Sequence, residues 1–321
     1  MSSYKQISKN IQEVVIDNPK KTGDLTWVDI SDAGKKEIEF LRKRYNFSLS
    51  HLQASSAKTK SQRPIIEKGS DYIFLILHFP VFENTKIVSG EINFFVGKDY
   101  IVTIHNNNIK ALNQFFNLYK KDLFSFLSFE YEAASVLLYE ILDKLILDCY
   151  PLLDHNSISL YRVEELIYSQ QSQQAVGQIL ALRRDIINTR KILQNHKNII
   201  KKLIHNDTGL TMDSKIKKLY IEMLDHTKRI WENLENQKEM IEVLNSTNES
   251  HLNYQISDIM KTLTIITVIV YPLNLIASVF GMNVVESMPF MGARHGFWIV
   301  IAIMSTASLC MLLFFERKKW L

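Results

Sequence analysis

Hydrophobic and polar positions follow a strand-like pattern in the first third of the chain. Gly97, Lys98 and Asp99 predict a tight hairpin near the end of this part. A helical stretch is predicted at residues 35–47. Together these elements predict a small α/β domain with one mixed sheet. The β-rich runs lie at residues 25–30, 72–82, 87–96 and 100–105.

From residue 109 onward the apolar residues recur at helical spacing. Asp213 or Ser214 can cap the last helix of this series, and from there to Phe280 the chain has no Gly and a single Pro, Pro272. This composition predicts one helix of about 68 residues, about 100 Å long. Such a helix must pack against copies of itself or against the helices before it. Breaks between the earlier helices are predicted at 149–151, 170–174 and 206–213.

Two uncharged runs near the C-terminus, 263–280 and 297–315, are each long enough to span a bilayer as a helix. Two such runs separated by a short loop favour a transmembrane hairpin over buried core helices. Basic residues at 317–319 follow the second run and Lys261 precedes the first, whereas the loop has one, Arg294. The positive-inside rule therefore predicts that both termini are cytoplasmic. The polar first ten residues suggest no cleaved signal or transit peptide, which suits a plasma (inner) membrane.

The predicted fold class is an α+β membrane protein in which a cytoplasmic α/β domain is followed by helices and a membrane anchor. The predicted division is a cytoplasmic α/β domain at 1–108, a cytoplasmic helical region at 109–212, a stalk helix at 213–260, a first transmembrane helix at 261–281, an external loop at 282–296, a second transmembrane helix at 297–315 and a basic cytoplasmic tail at 316–321.

Polar residues occupy one face of the first span, at spacings of 3, 4, 3 and 4. The same period continues backward through Met260 to Ser246. This pattern predicts a wet conduit with an apolar neck, a hydrophobic gate, at Met260 and Leu263. Such residues also join transmembrane helices through hydrogen bonds, and the spacing alone leaves both interpretations open. The polar stripe in the span consists of Thr264, Thr267, Tyr271, Asn274 and Ser278.

Asn274 favours the conduit, because an amide near mid-membrane is costly unless it meets water or a partner. One helical hairpin cannot enclose a pore, so the conduit requires a homo-oligomer with the first spans inside and the second spans outside.

Charge and composition exclude several other classes. The chain has 38 Lys plus Arg against 34 Asp plus Glu, a net charge of +4 that gives no argument for nucleic acid. Cys149 and Cys310 are far apart and form no zinc or disulfide pattern. The common nucleotide-binding, metalloprotease and hydrolase motifs are absent from the sequence, so we expect neither catalysis nor a cofactor. The basic helix at 173–207 is expected to be solvated or to contact anionic lipid.

The segment 271–283 reads YPLNLIASVFGMN, closes the first span and precedes Met288-Pro289 in the loop. In this position, with Gln62-Arg63-Pro64 in the α/β domain and a basic chain end, it resembles the CorA family of magnesium transporters. The resemblance implies a funnel-shaped homopentamer whose first spans line the pore. It assigns Gly281, Met282 and Asn283 to the external mouth, where a hydrated Mg²⁺ would bind near Asn283, and it implies Co²⁺ or Ni²⁺ as further ions.

Two departures from the family pattern concern regulation and the loop. Family members often read Leu-Glu-Asp where this chain has Leu52-Gln53-Ala54, so an intracellular regulatory Mg²⁺ site is expected to be weakened unless Glu67 or Asp71 substitutes. Glu222 is the remaining candidate ligand on the stalk. In the loop, Glu286 is either a cation-attracting charge or an ordinary solvated one.

Two alternative functions stay open at the level of sequence. The zinc-transporting branch of the same superfamily shares the architecture, although Met282 and Met288-Pro289 favour magnesium. A non-conducting membrane-anchored signalling or scaffold protein would need an output domain, and the sequence contains none that we recognise.

Overall fold

The computed structural model describes residues 2–16, 24–56, 63–83, 86–121, 134–169, 171–205, 212, 214–282, 289–290, 294–318 and 320. Its N-terminal part contains a seven-stranded sheet in the order β1-β2-β3-β7-β6-β5-β4. Strands β3 and β7 are parallel and every other neighbouring pair is antiparallel, so the sheet is mixed, as predicted. The strands are β1 Ser2–Gln6, β2 Ile11–Ile16, β3 Leu25–Ser31, β4 Ile65–Lys68, β5 Ile73–Glu83, β6 Lys86–Val96 and β7 Tyr100–His105.

Both faces of the sheet are covered by helices. Helices α1, Lys35–Tyr45, and α2, Leu49–Ala54, cover one face, where Leu41 and Leu52 are fully buried. Helix α1 ends two residues before the predicted position because Asn46 adopts a left-handed conformation, φ 52°, and stops the helix there. Helices α3, Lys110–Lys120, and α4, Ala134–Leu147, pack on the other face with the buried Trp27.

Four of these elements were not predicted. Strand β1 is a mostly polar edge strand. Strand β2 is buried on both faces, with Ile11 in one core cluster and Val14 and Ile16 in the other. Strand β4 lies at the opposite edge and contributes four residues, and α2 is a helix of six residues. Both elements are too short to give a clear pattern in the sequence.

The predicted hairpin between β6 and β7 is confirmed, since the Gly97 amide donates to the Tyr100 carbonyl at 3.0 Å.

The remaining described residues are mostly helical. The predicted single long helix is confirmed as α8, with 67 residues and Pro272 inside it. The break between α6 and α7 at Gln194 and Asn195 was not predicted, since no Gly or Pro marks it. Asp213, one of the two predicted caps, and Gln62 lie outside the described residues. The remaining helices are α5 Tyr150–Tyr168, α6 Ser172–Leu193, α7 His196–Ile204, α8 Ser214–Phe280 and α9 Gly296–Arg317.

The chain divides into two compact units, Met1–Leu244 and Asn245–Leu321. The second unit contains the C-terminal part of α8 together with α9. Both helices include an apolar window long enough to cross a membrane, and only 6% of the window in α8 and none of that in α9 is buried inside the chain. Exposed apolar helices of this length are stable in a bilayer and costly in water.

Candidate functional site

All five residues of the polar stripe in the first span are exposed on the surface of α8. The side chain of Tyr271, for example, is 73% exposed. Asn274 forms no side-chain hydrogen bond with any described residue. The stripe therefore presents its polar atoms outward, away from the packing of its own unit.

A second stripe of α8 is less exposed than the rest of the span, and Ile265 within it is only 6% exposed. At 100° per residue this stripe lies roughly 150° around the helix from the polar stripe. Helix α9 carries a matching stripe with the same spacing, which includes the buried Phe315. We infer that α8 and α9 pack along these two stripes, which consist of Lys261, Ile265, Ile269, Pro272, Ile276 and Phe280 on α8 and of Gly296, Val300, Met304, Ala307, Met311 and Phe315 on α9.

The threonine hydroxyls of the polar stripe are oriented by the helix itself. Thr264 Oγ1 donates to the Met260 carbonyl at 2.7 Å, and Thr267 Oγ1 donates to the Leu263 carbonyl at 2.8 Å. Because the hydroxyl hydrogen is used inside the helix, the lone pairs of each oxygen remain available on the exposed face. Oxygen acceptors of this kind suit water molecules and hydrated cations.

The predicted neck residues flank this arrangement at the start of the span. Met260 and Leu263 are 55% and 54% exposed and lie on the same side of α8 as the polar stripe. Their side chains are apolar, so a ring of them can exclude water from a narrow passage.

Helix α8 tightens at its end, where the family signature Gly281-Met282-Asn283 begins. The Gly281 amide donates to the Ala277 carbonyl at 2.9 Å, and the Met282 amide donates to the Val279 carbonyl at 3.3 Å, one residue closer along the chain. Met282 is 55% exposed. Three further residues named from the sequence, Asn283, Glu286 and Met288, lie outside the described residues.

The residues considered for intracellular regulation do not converge on one site. Glu67, a candidate substitute ligand, lies with Oε2 3.0 Å from His51 Nε2. The other ring nitrogen of His51 is 2.8 Å from Tyr72 Oη, so the imidazole bridges the two side chains. Gln53 and Ala54 lie on α2 beside it. His51 was not predicted from the sequence, because a single histidine in a short helix carries no motif.

Glu222 is exposed on α8, near two residues of α4. Burial raises the pKa of Tyr139 to about 12, and the charges of Asp143 and Glu222 add to that shift. Burial likewise raises the pKa of Asp143, and the charge of Glu222 adds to that shift. His226 opposes it, with Nδ1 3.5 Å from Asp143 Oδ1. Across the described residues, no three His, Cys, Asp or Glu side chains come together in a way that could hold a metal ion.

A family model for the CorA-like Mg²⁺ transporter protein matches residues 22–318 of the chain. The chain belongs to this CorA-like family. It is therefore a membrane transporter of the Mg²⁺ and divalent-cation class, with two candidate membrane spans at its C-terminal end. The cobalt/magnesium transport protein CorA of Thermotoga maritima is 23% identical over 298 residues, which cover 92% of this chain and 83% of that protein.

Solved structures show the CorA fold for this chain. The complete CorA magnesium transporter of Methanocaldococcus jannaschii has a TM-score of 0.82 at 23% identity, covering 92% of each chain. The ZntB cytoplasmic domain of Vibrio parahaemolyticus also matches, with a TM-score of 0.52 at 12% identity, over 73% of this chain and 90% of that domain. These likenesses show the fold, and the fold alone does not identify the ion.

Proposed function

We propose that five copies of the chain form a channel that passes Mg²⁺, and also Co²⁺ or Ni²⁺, across the plasma membrane with both termini in the cytoplasm. The supporting observation is the exposure of the polar stripe on the face of α8 that α9 leaves uncovered. In a ring of copies with α8 inside, this face lines the pore and α9 faces the lipid. The cobalt in the name of the Thermotoga relative supports the wider range of ions.

The proposed mechanism passes the ion in hydrated form. Mg²⁺ releases its waters reluctantly, so neutral amide and hydroxyl oxygens that hydrogen-bond to those waters can guide it without stripping them. Asn283 forms the outer ring, with Gly281 and Met282 at the mouth and Glu286 attracting cations in the loop. Asn274 and Thr267 are two of the contacts further in. Met260 and Leu263 form the gate, and the membrane potential with the concentration gradient drives the flow.

Intracellular Mg²⁺ feedback is proposed to be weak in this chain. The acidic residues typical of the family site are replaced by Gln53 and Ala54, and Glu67 is engaged by His51 at 3.0 Å. Glu222 on α8 and Asp71 just before β5 remain as exposed carboxylates on different elements. A single carboxylate binds Mg²⁺ poorly, since the ion keeps most of its water shell.

Two threonine variants test the pore face directly. Thr267→Val and Thr306→Val each remove a hydroxyl that donates to the carbonyl four residues earlier, at 2.8 Å in both cases. Each variant therefore loses the same hydrogen bond within its helix. The two variants differ in their position, because Thr267 lies on the polar stripe of α8 and Thr306 lies on α9. In proteoliposomes that contain a fluorescent Mg²⁺ indicator, we expect Thr267→Val to slow uptake severalfold and Thr306→Val to leave it unchanged.

Asn283→Ala, at matched incorporation, is expected to abolish the uptake. Equal rates for the two threonine variants would contradict the pore face. No uptake by the intact protein under an inward gradient and a negative-inside potential would overturn the magnesium channel. In that case, Zn²⁺ uptake driven by a proton gradient would identify the zinc-transporting alternative, and its absence would favour a non-conducting scaffold.

A further inference from the structure

Helices α5 and α6 each carry a second apolar face that points into solvent. Their inner faces pack together in one hydrophobic cluster with Ile241 and Leu244 of α8. A helix needs one apolar stripe to pack within its own chain, so a second stripe indicates an interaction surface. The exposed residues are Ile158, Tyr161 and Tyr168 on α5, at 58%, 69% and 74%, and Val176, Leu180 and Ile187 on α6, at 40%, 59% and 46%.

Charged residues complete both outer faces at the 3–4 spacing typical of helices that pack side by side. We name the two faces the α5 seam and the α6 seam, and every member of each is exposed. The charges of the α5 seam are acidic and those of the α6 seam are basic. The α5 seam consists of Asp154, Ile158, Tyr161, Glu165 and Tyr168, and the α6 seam consists of Val176, Leu180, Arg183, Ile187 and Lys191.

Helix α8 contacts both helices from one side. On α5, the Gln237 amide donates to the Leu153 carbonyl at 2.8 Å. On α6, the Arg190 guanidinium lies 5.2 Å from the ring centre of Trp231 and also bonds to Glu235. Helices α5 and α6 therefore lie side by side on α8.

The ends of β5 and β6 contact the same two helices from the opposite side. The Phe82 ring packs edge-on against His155 of α5 at 5.7 Å, and Asn188 of α6 donates to the Ile87 carbonyl at 3.5 Å. With two sides covered, each helix keeps one free flank. Successive residues of a helix lie 100° apart around its axis, so the contact residues fix where the seam residues point. The α5 seam lies on the side of α5 away from α6, and the α6 seam lies on the side of α6 away from α5.

We propose that the α5 seam of one copy packs against the α6 seam of the next copy around the ring. This inference rests on the homo-oligomer proposed above. Two unlike, complementary surfaces on opposite flanks of one subunit are what a closed cyclic assembly requires. One seam carries acidic residues and the other basic ones, and Asp154 of one seam meets Lys191 of the other, which favours contact between unlike seams.

One antiparallel register pairs four of the five positions along the seams favourably and leaves Glu165 opposite Leu180. Helices α5 and α6 run in opposite directions within the chain, and rotation about a ring axis preserves that relation between copies. The register places apolar residues opposite apolar ones near both ends, an acid opposite a base, and an aromatic ring opposite a guanidinium. The pairs are Asp154 with Lys191, Ile158 with Ile187, Tyr161 with Arg183, and Tyr168 with Val176.

Disulfide cross-linking in native membranes tests the contact. In a Cys310→Ala background, Ile158→Cys combined with Ile187→Cys is expected to give a ladder of cross-linked species on oxidation. Cys149 stays in place because it is buried and its thiol pKa is raised to about 12, so it reacts little. Each single variant is expected to give no cross-link, since the contact joins unlike faces. Ile158→Cys with Val176→Cys is the out-of-register control, about 16 Å away along α6.

A charge exchange provides a second measurement. All of its variants carry the same cysteine pair, so any change of fold caused by the cysteines is common to them. Asp154→Lys added to the cross-linking pair should lower its yield severalfold, and Lys191→Asp added to that variant should restore it. Cross-links in a single-cysteine variant would overturn the head-to-tail arrangement. An intact oligomer by light scattering without the paired cross-link would overturn this interface and leave the channel standing, whereas a monomer would overturn both.

Discussion

Replacing His196 with glutamine should remove part of the acid sensitivity of the N-terminal unit, residues 1–244. His196 begins α7 and is 2% exposed, with its ring 4.9 Å from that of Phe79. Its Nε2–H donates to the His78 carbonyl at 2.8 Å, and its burial favours the neutral form of the ring. Burial lowers the pKa of His196 from 6.5 to about 4, although the bond to His78 opposes the shift.

The magnitude follows from the difference between the two pKa values. At 1.36 kcal/mol per pH unit, a shift from 6.5 to about 4 corresponds to about 3 kcal/mol. The folded state prefers the neutral ring, so this contribution is complete above pH 6.5. It is lost as the pH falls towards 4, because the unfolded chain takes up the proton first. Glutamine keeps an N–H donor at a similar position and does not titrate.

The assay is denaturant unfolding of the detergent-solubilised protein between pH 7.5 and 4.5, for the intact chain and His196→Gln in parallel. The variant is expected to be less stable at pH 7.5 and to lose less free energy of unfolding on acidification. The comparison of slopes cancels both the packing cost of the substitution and the titration of other groups. Parallel curves for the two proteins would refute the inferred buried neutral histidine.

Two further substitutions test packing that the fold requires. Gly296→Ala should destabilise the start of α9 by about 1–3 kcal/mol and lower the thermal midpoint, because an added Cβ would lie 2.1 Å from the Phe290 carbonyl oxygen; an unchanged midpoint would contradict that close approach. Tyr220→Phe should cost about 1–2 kcal/mol in denaturant unfolding, since the buried hydroxyl donates to the Ser135 carbonyl at 2.8 Å, and a neutral effect would show that the bond contributes nothing.

The sequence predicted the central strands and the long helix because their signals are local. Strands β3 and β5–β7 have apolar runs bounded by turn residues, and α8 has a continuous helical composition. Strand β1 lacks such a signal, because pairing at a sheet edge stabilises a polar segment only after the sheet exists. Strand β2 reads IQEVVI, which does not alternate strictly because both of its faces are buried. The break at Gln194 and Asn195 is similar, since tertiary packing interrupts a sequence that favours helix.

The candidate site was predictable to a different extent. Spacing predicted the polar stripe and the family resemblance predicted the mouth, which stays a prediction, but spacing carries no information about what covers each face of α8. The bridge from His51 to Glu67 also depends on β4 meeting α2, a contact between elements that no local pattern specifies. Residues that act through tertiary neighbours therefore escaped the sequence analysis.

The sequence left two interpretations of the polar stripe open: a water-filled conduit, or hydrogen bonds that join transmembrane helices. The exposure of its residues argues against hydrogen bonds between the two spans of one chain. If the stripe joined the two spans of one chain, its residues would lie among the less exposed positions where α8 meets α9. Those positions are instead occupied by apolar residues such as Ile265 and Ile276, while Tyr271 and Asn274 lie exposed. An amide at this depth must still find a hydrogen-bonding partner. Its partner would therefore come from outside the helical pair, from a neighbouring copy or from water, and the ring of copies proposed above would supply both.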